Sequence, residues 1–453
     1  MGRLTVHRFG GPLLFGAVLW VAFKMTTDVA APFIDWIGAA VGGPLYRWLS
    51  GLFAALGLAD TWVQSLVVDG ALAGVGTVLA FIPILVSLYA VLAVLEQSGY
   101  LARGARSVEN AARTISLPGS AMLPISLGFG CTVPALLALR SVERARDRVL
   151  AGMLVPFMAC AARLPVFVLL ATAFFVDHRT LVVFSMYLLG IGVAVVIGAI
   201  LGRTVLRSAR EDAHSAPLPP LRVPSRKLVV ATVRGRTASF IRGAGTVVLS
   251  ASLAVWLLLA IPVGGSGSFG ATPVESSAFA SFSRTVAPAM QPLGLGDWTQ
   301  TGALLTGLIA KEVTISTLAQ SYGLGGDAEV DAAPGLFEDL RLIGTGFLAA
   351  TRDALVAVPG IIGIDLRPDG RLDGSPAFTS AIRSGFDSGS NGRGAAAALA
   401  FMVFVLLYTP CVVALTTTRR ELGLRWMWVS ALGQLAVAWL VAFAAFRFAV
   451  MTG

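Results

Sequence analysis

The sequence predicts an all-α polytopic membrane protein of about eight to ten helical segments, with two repeats built on broken or re-entrant helices. Three observations predict it. Of 453 residues, 56% are apolar and only 13% charged, against about 45–50% and about 25% in a soluble domain. Apolar stretches recur near 10–25, 71–96, 121–139, 149–176, 180–202, 243–262, 300–320, 396–418 and 426–449, most near the roughly 20 residues of a bilayer span. Several of these stretches are interrupted by glycine and proline. With a mean hydropathy of +0.79 the chain cannot cover a water-facing surface. A soluble enzyme, a disordered chain and a nucleic-acid binder are excluded, and the lipid bilayer is the first partner.

Residues 1–98 hold the first spans. The apolar run after Arg8 reaches Lys24 without an A-x-A-like cleavage site, so it reads as a span and not as a signal peptide. Residues 26–70 carry one Arg and four Asp and read as extracytoplasmic, which puts the N-terminus in the cytoplasm. Pro83, after Gly74 and Gly76, interrupts the next run, and Glu96 ends it.

Residues 99–202 form the first repeat. Arg-rich stretches at 99–113 and 140–148 flank 115–139, so that segment enters and leaves on the cytoplasmic side. Residues 203–242 hold nine Lys/Arg against two acids and form a basic cytoplasmic loop. Anionic headgroups and a protein partner suit its arginines equally. Residues 243–321 begin the second repeat. Residues 322–394 are a polar insert, with ten acids and six bases over 322–393 and one amphipathic helix near 342–358; its side of the membrane stays open. Residues 395–453 supply the C-terminal helices, broken at Pro410, with Arg419, Arg420 and Arg425 placing the turn between them inside. The excess of 34 Lys+Arg over 25 Asp+Glu follows from these basic loops.

The few polar groups inside apolar runs are the candidates for chemistry. Cys131, Cys160 and Cys411 each stand beside a proline break, and an odd number offers no disulfide framework. In LPGSAMLPISLGFGCTVPALLALR, Gly128 and Gly130 allow close backbone approach, and Pro134 frees carbonyls around the Cys131 thiol and Thr132. LVPFMACAARLP repeats the recipe with Pro156, Met158 and Cys160, followed by Arg163. Thiol, thioether and carbonyl ligands suit a borderline transition metal better than a hard cation. The bland reading of a buried cysteine is a small hydrophobe.

Glu96 in LEQSGYLAR and the Lys311–Glu312 pair in AKEVTISTL lie in or at the end of apolar runs, where charge is costly, and are candidates for gating or charge relay. Capping of a helix end by Glu96 and snorkelling of Lys311 are the competing readings. Cys131 and Cys411 each precede an arginine by nine residues, a weak internal repeat. The three histidines, His7, His178 and His214, all fall in loops, which argues against a zinc-enzyme site. No lysine follows a glycine, so these residues hold no G-x-x-x-x-G-K-[ST] phosphate loop. The expectation is no enzyme, no catalytic residues and no permanently bound cofactor.

These segments resemble the membrane domain of the bacterial ferrous iron transport protein B (FeoB) family. The resemblance is carried by GVGTVLAFIP…LEQSGYLARGA at 74–105, LPISLGFGCTVPALLALRSVERARDR at 123–148 and PFMACAARLPVFVLLATAFF at 156–175, then by AKEVTISTL at 310–318 and FVLLYTPCVVALTTTRRELG at 404–423. The order is the family's, and it covers nearly the whole chain from about residue 9. It implies a permease of the bacterial inner membrane with two gate-type repeats and Fe²⁺ as transported substrate. Cys131, Cys160 and Cys411 would line the path, with Met158, Gly128, Gly130, Thr132 and Pro410 beside them, and Glu96 and Glu312 at family positions. Family members usually begin with a cytoplasmic G-protein domain, whereas here the membrane part starts almost at Met1. The expectation is a permease without its own GTPase domain, whose partners would be a separate G-protein subunit, a small FeoA-like regulator and further copies of itself. Thr132 and Ile84 stand where the family typically has Asn and Gln, which keeps Mn²⁺ and Zn²⁺ open as cargo. A carrier of an organic solute such as a nucleoside would draw on Tyr89, Tyr408 and Gln434. A non-transporting scaffold is the third reading.

Overall fold

A computed structural model describes residues 10–107, 119–204, 206, 222–263, 267–309, 311, 313–321, 335–360 and 376–452. Glu312, His7, His214, the centre of the basic loop and the stretches 322–334 and 361–375 of the insert lie outside the described residues. Within them the chain is helical, with two isolated β-bridges, Pro262 to Ser277 and Ser268 to Ala271.

In chain order the helices are α1 (Gly10–Ala40), α2 (Tyr46–Ala55), α3 (Ala73–Gln97), α4 (Tyr100–Ser107), α5 (Gly119–Leu127), α6 (Thr132–Leu137), α7 (Ala145–Leu154), α8 (Leu164–Phe174), α9 (Arg179–Arg203) and α10 (Arg226–Phe240). They continue with α11 (Thr246–Ala260), α12 (Ala278–Met290), α13 (Trp298–Thr306), α14 (Val313–Ser321), α15 (Leu336–Gly360), α16 (Pro376–Gly389), α17 (Gly394–Leu407), α18 (Val412–Leu422) and α19 (Leu424–Thr452). Among the described residues, seven helical runs are long and apolar enough to cross a membrane. Two further segments, α5–α6 and α13–α14, fold back on themselves. The protein is a multi-pass membrane protein.

Burial ranks the spans. In the most apolar 18 residues of the run Ala145–Phe174, which contains α7 and α8, 72% are buried, and in those of Gly394–Leu422, which contains α17 and α18, 78% are buried. The other five are 17–28% buried. The two spans that break in mid-course are therefore the core of the molecule, and the unbroken ones screen them from lipid. This is the arrangement that non-helical backbone requires at membrane depth, where exposed N–H and C=O groups find no water.

Over 26–70, α1 passes through a π-helical turn at Val41–Leu45 directly into α2. Lys24 pairs Asp28 at 3.1 Å one turn on within α1. The run Leu13–Ala55 has 43 residues, about 65 Å at 1.5 Å each, twice the roughly 30 Å hydrocarbon thickness. One expectation fails here: Pro83 does not break its span, since it lies inside α3. The irregularity comes earlier, in a π-helical turn at Leu66–Leu72.

The amphipathic helix expected near 342–358 is α15. It runs antiparallel to the first helical run: Asp339 meets Arg47 and Trp48, and Ile343 O accepts from Trp36 Nε1 at 2.9 Å. One turn further on, Phe347 packs on Trp36 and Phe33.

The arginine-rich ends collect on one face. There Tyr100 O–H donates to Leu14 O at 3.2 Å, Arg222 N–H donates to Ser98 O at 3.3 Å, and Arg236 pairs Glu96 at 2.9 Å. Arg140, at the end of α6, pairs Glu421 of α18 on the same face. The start of α1 and the ends of α3, α6 and α18 thus share this basic face.

Candidate functional site

The three cysteines sit at three helix breaks. After α5 the chain turns through Gly128, Phe129 and Gly130, and Cys131 is extended (φ −151°, ψ 131°) at the N-cap of α6. Gly128 allows this because a Cβ there would lie 2.9 Å from Ile125 O and 3.0 Å from Met158 Cβ. The backbone of the first break thus lies directly on the Met158 side chain of the second. A Cβ on Gly130 would collide with the ring of Phe23, 2.1 Å from Cε1. Thr132 is buried, and its Oγ1 has no hydrogen-bond partner.

The second break lies between α7 and α8. Met158 and Cys160 are extended between two single 3₁₀ turns, and both are buried. The third follows α17, where Tyr408 and Cys411 are extended, with Pro410 buried between them. There the Cys411 Sγ accepts from Ala414 N–H at 3.4 Å, so the thiol caps α18. A fourth break, without cysteine, follows α13 at Gly307–Ile309.

One main-chain hydrogen bond joins the breaks within each repeat. Ala161 N–H, next to Cys160, donates to Gly130 O at 3.2 Å, and Val412 N–H, next to Cys411, donates to Leu308 O at 3.0 Å. The two bonds correspond, so Cys160 is the counterpart of Cys411, and Cys131 the counterpart of Ile309. The nine-residue spacing that paired Cys131 with Cys411 reflects something else. Their helices, α6 and α18, pack side by side and carry Arg140 and Glu421 at their ends.

Two cations are buried at the crossing of the repeats. Arg163 is wholly buried. Its Nη1 donates to Pro156 O and Met158 O at 3.2 and 3.0 Å, and its Nη2 to Pro156 O and Tyr408 O at 3.2 and 3.3 Å. Lys311 is 2% exposed, so it does not snorkel. Its Nζ donates to Thr409 O at 3.0 Å and sits 3.1 Å from the centroid of the Tyr408 ring. Tyr408 in turn donates its O–H to Leu304 O at 3.1 Å. Four carbonyls at the breaks are thus engaged by side-chain cations.

Among the described residues, no three His, Cys, Asp or Glu side chains converge as a metal site. The cysteines form a succession of positions and not a closed cage. Glu96 stands on the basic face, over half exposed, in its ion pair with Arg236. It lines a cavity of about 980 Å³ with Arg140, Arg236, Arg420 and Glu421 at the mouth. The cavity's inner wall is Leu127, Val133, Pro134 and Val413. It therefore leads from the basic face to the first turns behind Cys131 and Cys411.

Arg163, Tyr408 and Thr409 are the site residues for which sequence reasoning found no place in the path. For Arg163 a signal existed, an arginine within an apolar run two residues before Pro165.

Comparison with known proteins adds to this geometry. A family model described as Gate, nucleoside recognition, matches residues 78–174 and 241–425. A model described as ferrous iron transport protein B C terminus matches residues 183–236, between the two Gate stretches. An Fe(2+) transporter FeoB from Legionella pneumophila (strain Lens) is 32% identical over 97% of this chain and 57% of its own length. One from Staphylococcus aureus (strain COL) is 30% identical over 96% and 56%. A Porphyromonas gingivalis protein named as a fusion of Fe(2+) transport protein A and Fe(2+) transporter FeoB is 30% identical over 99% and 51%. The chain spans about half the length of the curated relatives it matches. No solved structure matches it.

Proposed function

Since the chain belongs to the Gate family and corresponds to the membrane part of the ferrous iron transport protein B family, we propose that it is the permease for Fe²⁺ entering a bacterial cell across the inner membrane. The observation that carries this is the coincidence of its three thiols with three helix breaks, two of them in the most buried spans. By the positive-inside rule the basic face, with the start of α1, is cytoplasmic. Fe²⁺ sheds part of its water, passes Cys160 and then Cys131 and Cys411, and leaves through the cavity between Glu96 and Glu421. Thiols met in succession bind a borderline metal firmly enough to replace hydration, yet release it more readily than a closed cage does. Met158, Gly128, Gly130, Thr132 and Pro410 shape the breaks, and Glu312 and Lys311 belong to the gate. These residues hold no phosphate loop, so any GTP hydrolysis belongs to a G-protein part outside them, acting at the basic face. A small regulator akin to Fe(2+) transport protein A is the second partner in this reading.

The test is uptake of radiolabelled Fe²⁺ into proteoliposomes, with Mn²⁺, Zn²⁺ and uridine as competitors. Uptake lost in Cys160→Ser and Cys411→Ser supports the reading, and unchanged uptake in all three Cys→Ser variants overturns the thiol path. The nucleoside reading has the Gate model's description in its favour. Against it, the Tyr408 hydroxyl is already bonded to Leu304 O.

A further inference from the structure

The cavity on the basic face has two chemically different parts. Its mouth carries Arg140, Arg222, Arg236 and Arg420 against Glu96 and Glu421. Arg140 takes Glu421 and Arg236 takes Glu96, so both carboxylates are engaged. Arg222 and Arg420 have no ion pair among the described residues. The mouth therefore carries more positive charge than its own acids neutralise.

Both spare arginines are anchored at that mouth. Arg222 N–H donates to Ser98 O, just past the end of α3. Arg420 reaches from α18 across the π-helical turn Ile241–Gly245, where a Cβ on Gly243 would stand 3.1 Å from its Nη1. Inward of the mouth the wall turns apolar, with Leu92, Leu127, Val133, Leu137 and Val413. At about 980 Å³ the space lies at the upper end of the roughly 300–1,000 Å³ typical of ligand sites.

We propose that this cavity binds one anionic phospholipid from the leaflet beside the basic face, its phosphate on Arg222 and Arg420 and an acyl chain along the apolar wall. Basic pockets between membrane helices take anionic headgroups in this way. The uncompensated arginines favour an anionic headgroup over a zwitterionic one. The order of the groups with depth, charge at the face and hydrocarbon inward, is that of a lipid. A free phosphate would leave the apolar wall against water. The bound phosphate also offsets the positive charge that a cation leaving by this mouth would meet. Lipid binding here does not depend on what the chain transports.

The experiment titrates the full chain in detergent with dioleoyl phosphatidylglycerol or dioleoyl phosphatidylcholine and counts bound lipid by native mass spectrometry. Phosphatidylglycerol should fill one saturable site, and phosphatidylcholine should not. Arg222→Gln and Arg420→Gln should each weaken that binding about tenfold, the equivalent of one lost charge-assisted hydrogen bond. Arg419→Gln removes the same charge from the neighbouring residue, which does not line the cavity, and should leave binding unchanged. All three arginines are exposed, so these substitutions leave the core intact. Leu137→Asn, on the apolar wall and 38% exposed, should also weaken binding, which a site for phosphate alone would not show. Equal binding of the two lipids overturns the proposal, as does an Arg419→Gln loss as large as that of Arg420→Gln. Displacement of phosphatidylglycerol by an excess of inorganic phosphate overturns it too. No transport is measured, so a failure of the permease reading would leave this result standing.

Discussion

Arg140 and Glu421, 281 positions apart, meet in a two-pronged ion pair, with Nη2 2.6 Å from Oε1 and Nε 2.9 Å from Oε2. It ties the end of α6 to the end of α18, the two helices that Cys131 and Cys411 head. The arginine is largely exposed while the carboxylate is only 7% exposed, so a double-mutant cycle should return a coupling of about 0.5–1 kcal/mol, as for exposed pairs. Arg140→Gln should cost more than Glu421→Gln, because it strands a mostly buried charge. Thermal unfolding of the four proteins in detergent checks this order.

Gly130→Ala should destabilise the protein by about 1–3 kcal/mol, the usual cost of overpacking. Its Cβ would collide with the Phe23 ring. The double variant with Phe23→Ala should recover part of that loss, and comparing the two melting curves checks it. Gly128→Ala should find no such rescue, because its nearest obstacle is the main-chain oxygen of Ile125.

Cysteine accessibility should follow the cavity. Cys131 and Cys411 are half-buried and Cys160 is buried. In inside-out vesicles, an impermeant maleimide should label Cys131 and Cys411 before Cys160. Fe²⁺ kept reduced should slow the labelling of all three. Labelling of Cys160 first, or no protection by metal, would contradict the path.

Asp339→Asn should loosen α15 from the first helical run. Its buried carboxylate takes both Arg47 and the Trp48 indole, at 2.8 Å for the latter. Because Arg47 remains 30% exposed, the cost should fall well short of a fully buried pair, about 1–2 kcal/mol. Hydrogen exchange should quicken along 336–347 and leave α17 protected.

Much of this was legible from the chain. Gly128, Gly130, Pro156 and Pro410 mark the breaks because backbone chemistry is local, and the arginines mark the shared face because charge is counted by position. What failed depended on partners distant in sequence or on helical context. Pro83 read as a break, but a helix absorbs one proline when its neighbours cover the freed carbonyl. Arg163 and Lys311 were ambiguous because their acceptors at Tyr408 and Thr409 lie 245 and 98 positions away. No local pattern reports which carbonyls a crossing will present to a cation.

The bonds from Ala161 to Gly130 and from Val412 to Leu308 involve no side chain. Substitution can therefore change what either hairpin presents without touching the link that holds it. A thiol can stand in one half and an aliphatic side chain at the matching place in the other, as Cys131 and Ile309 do. The link between the breaks can therefore persist while the side chains of the two halves diverge.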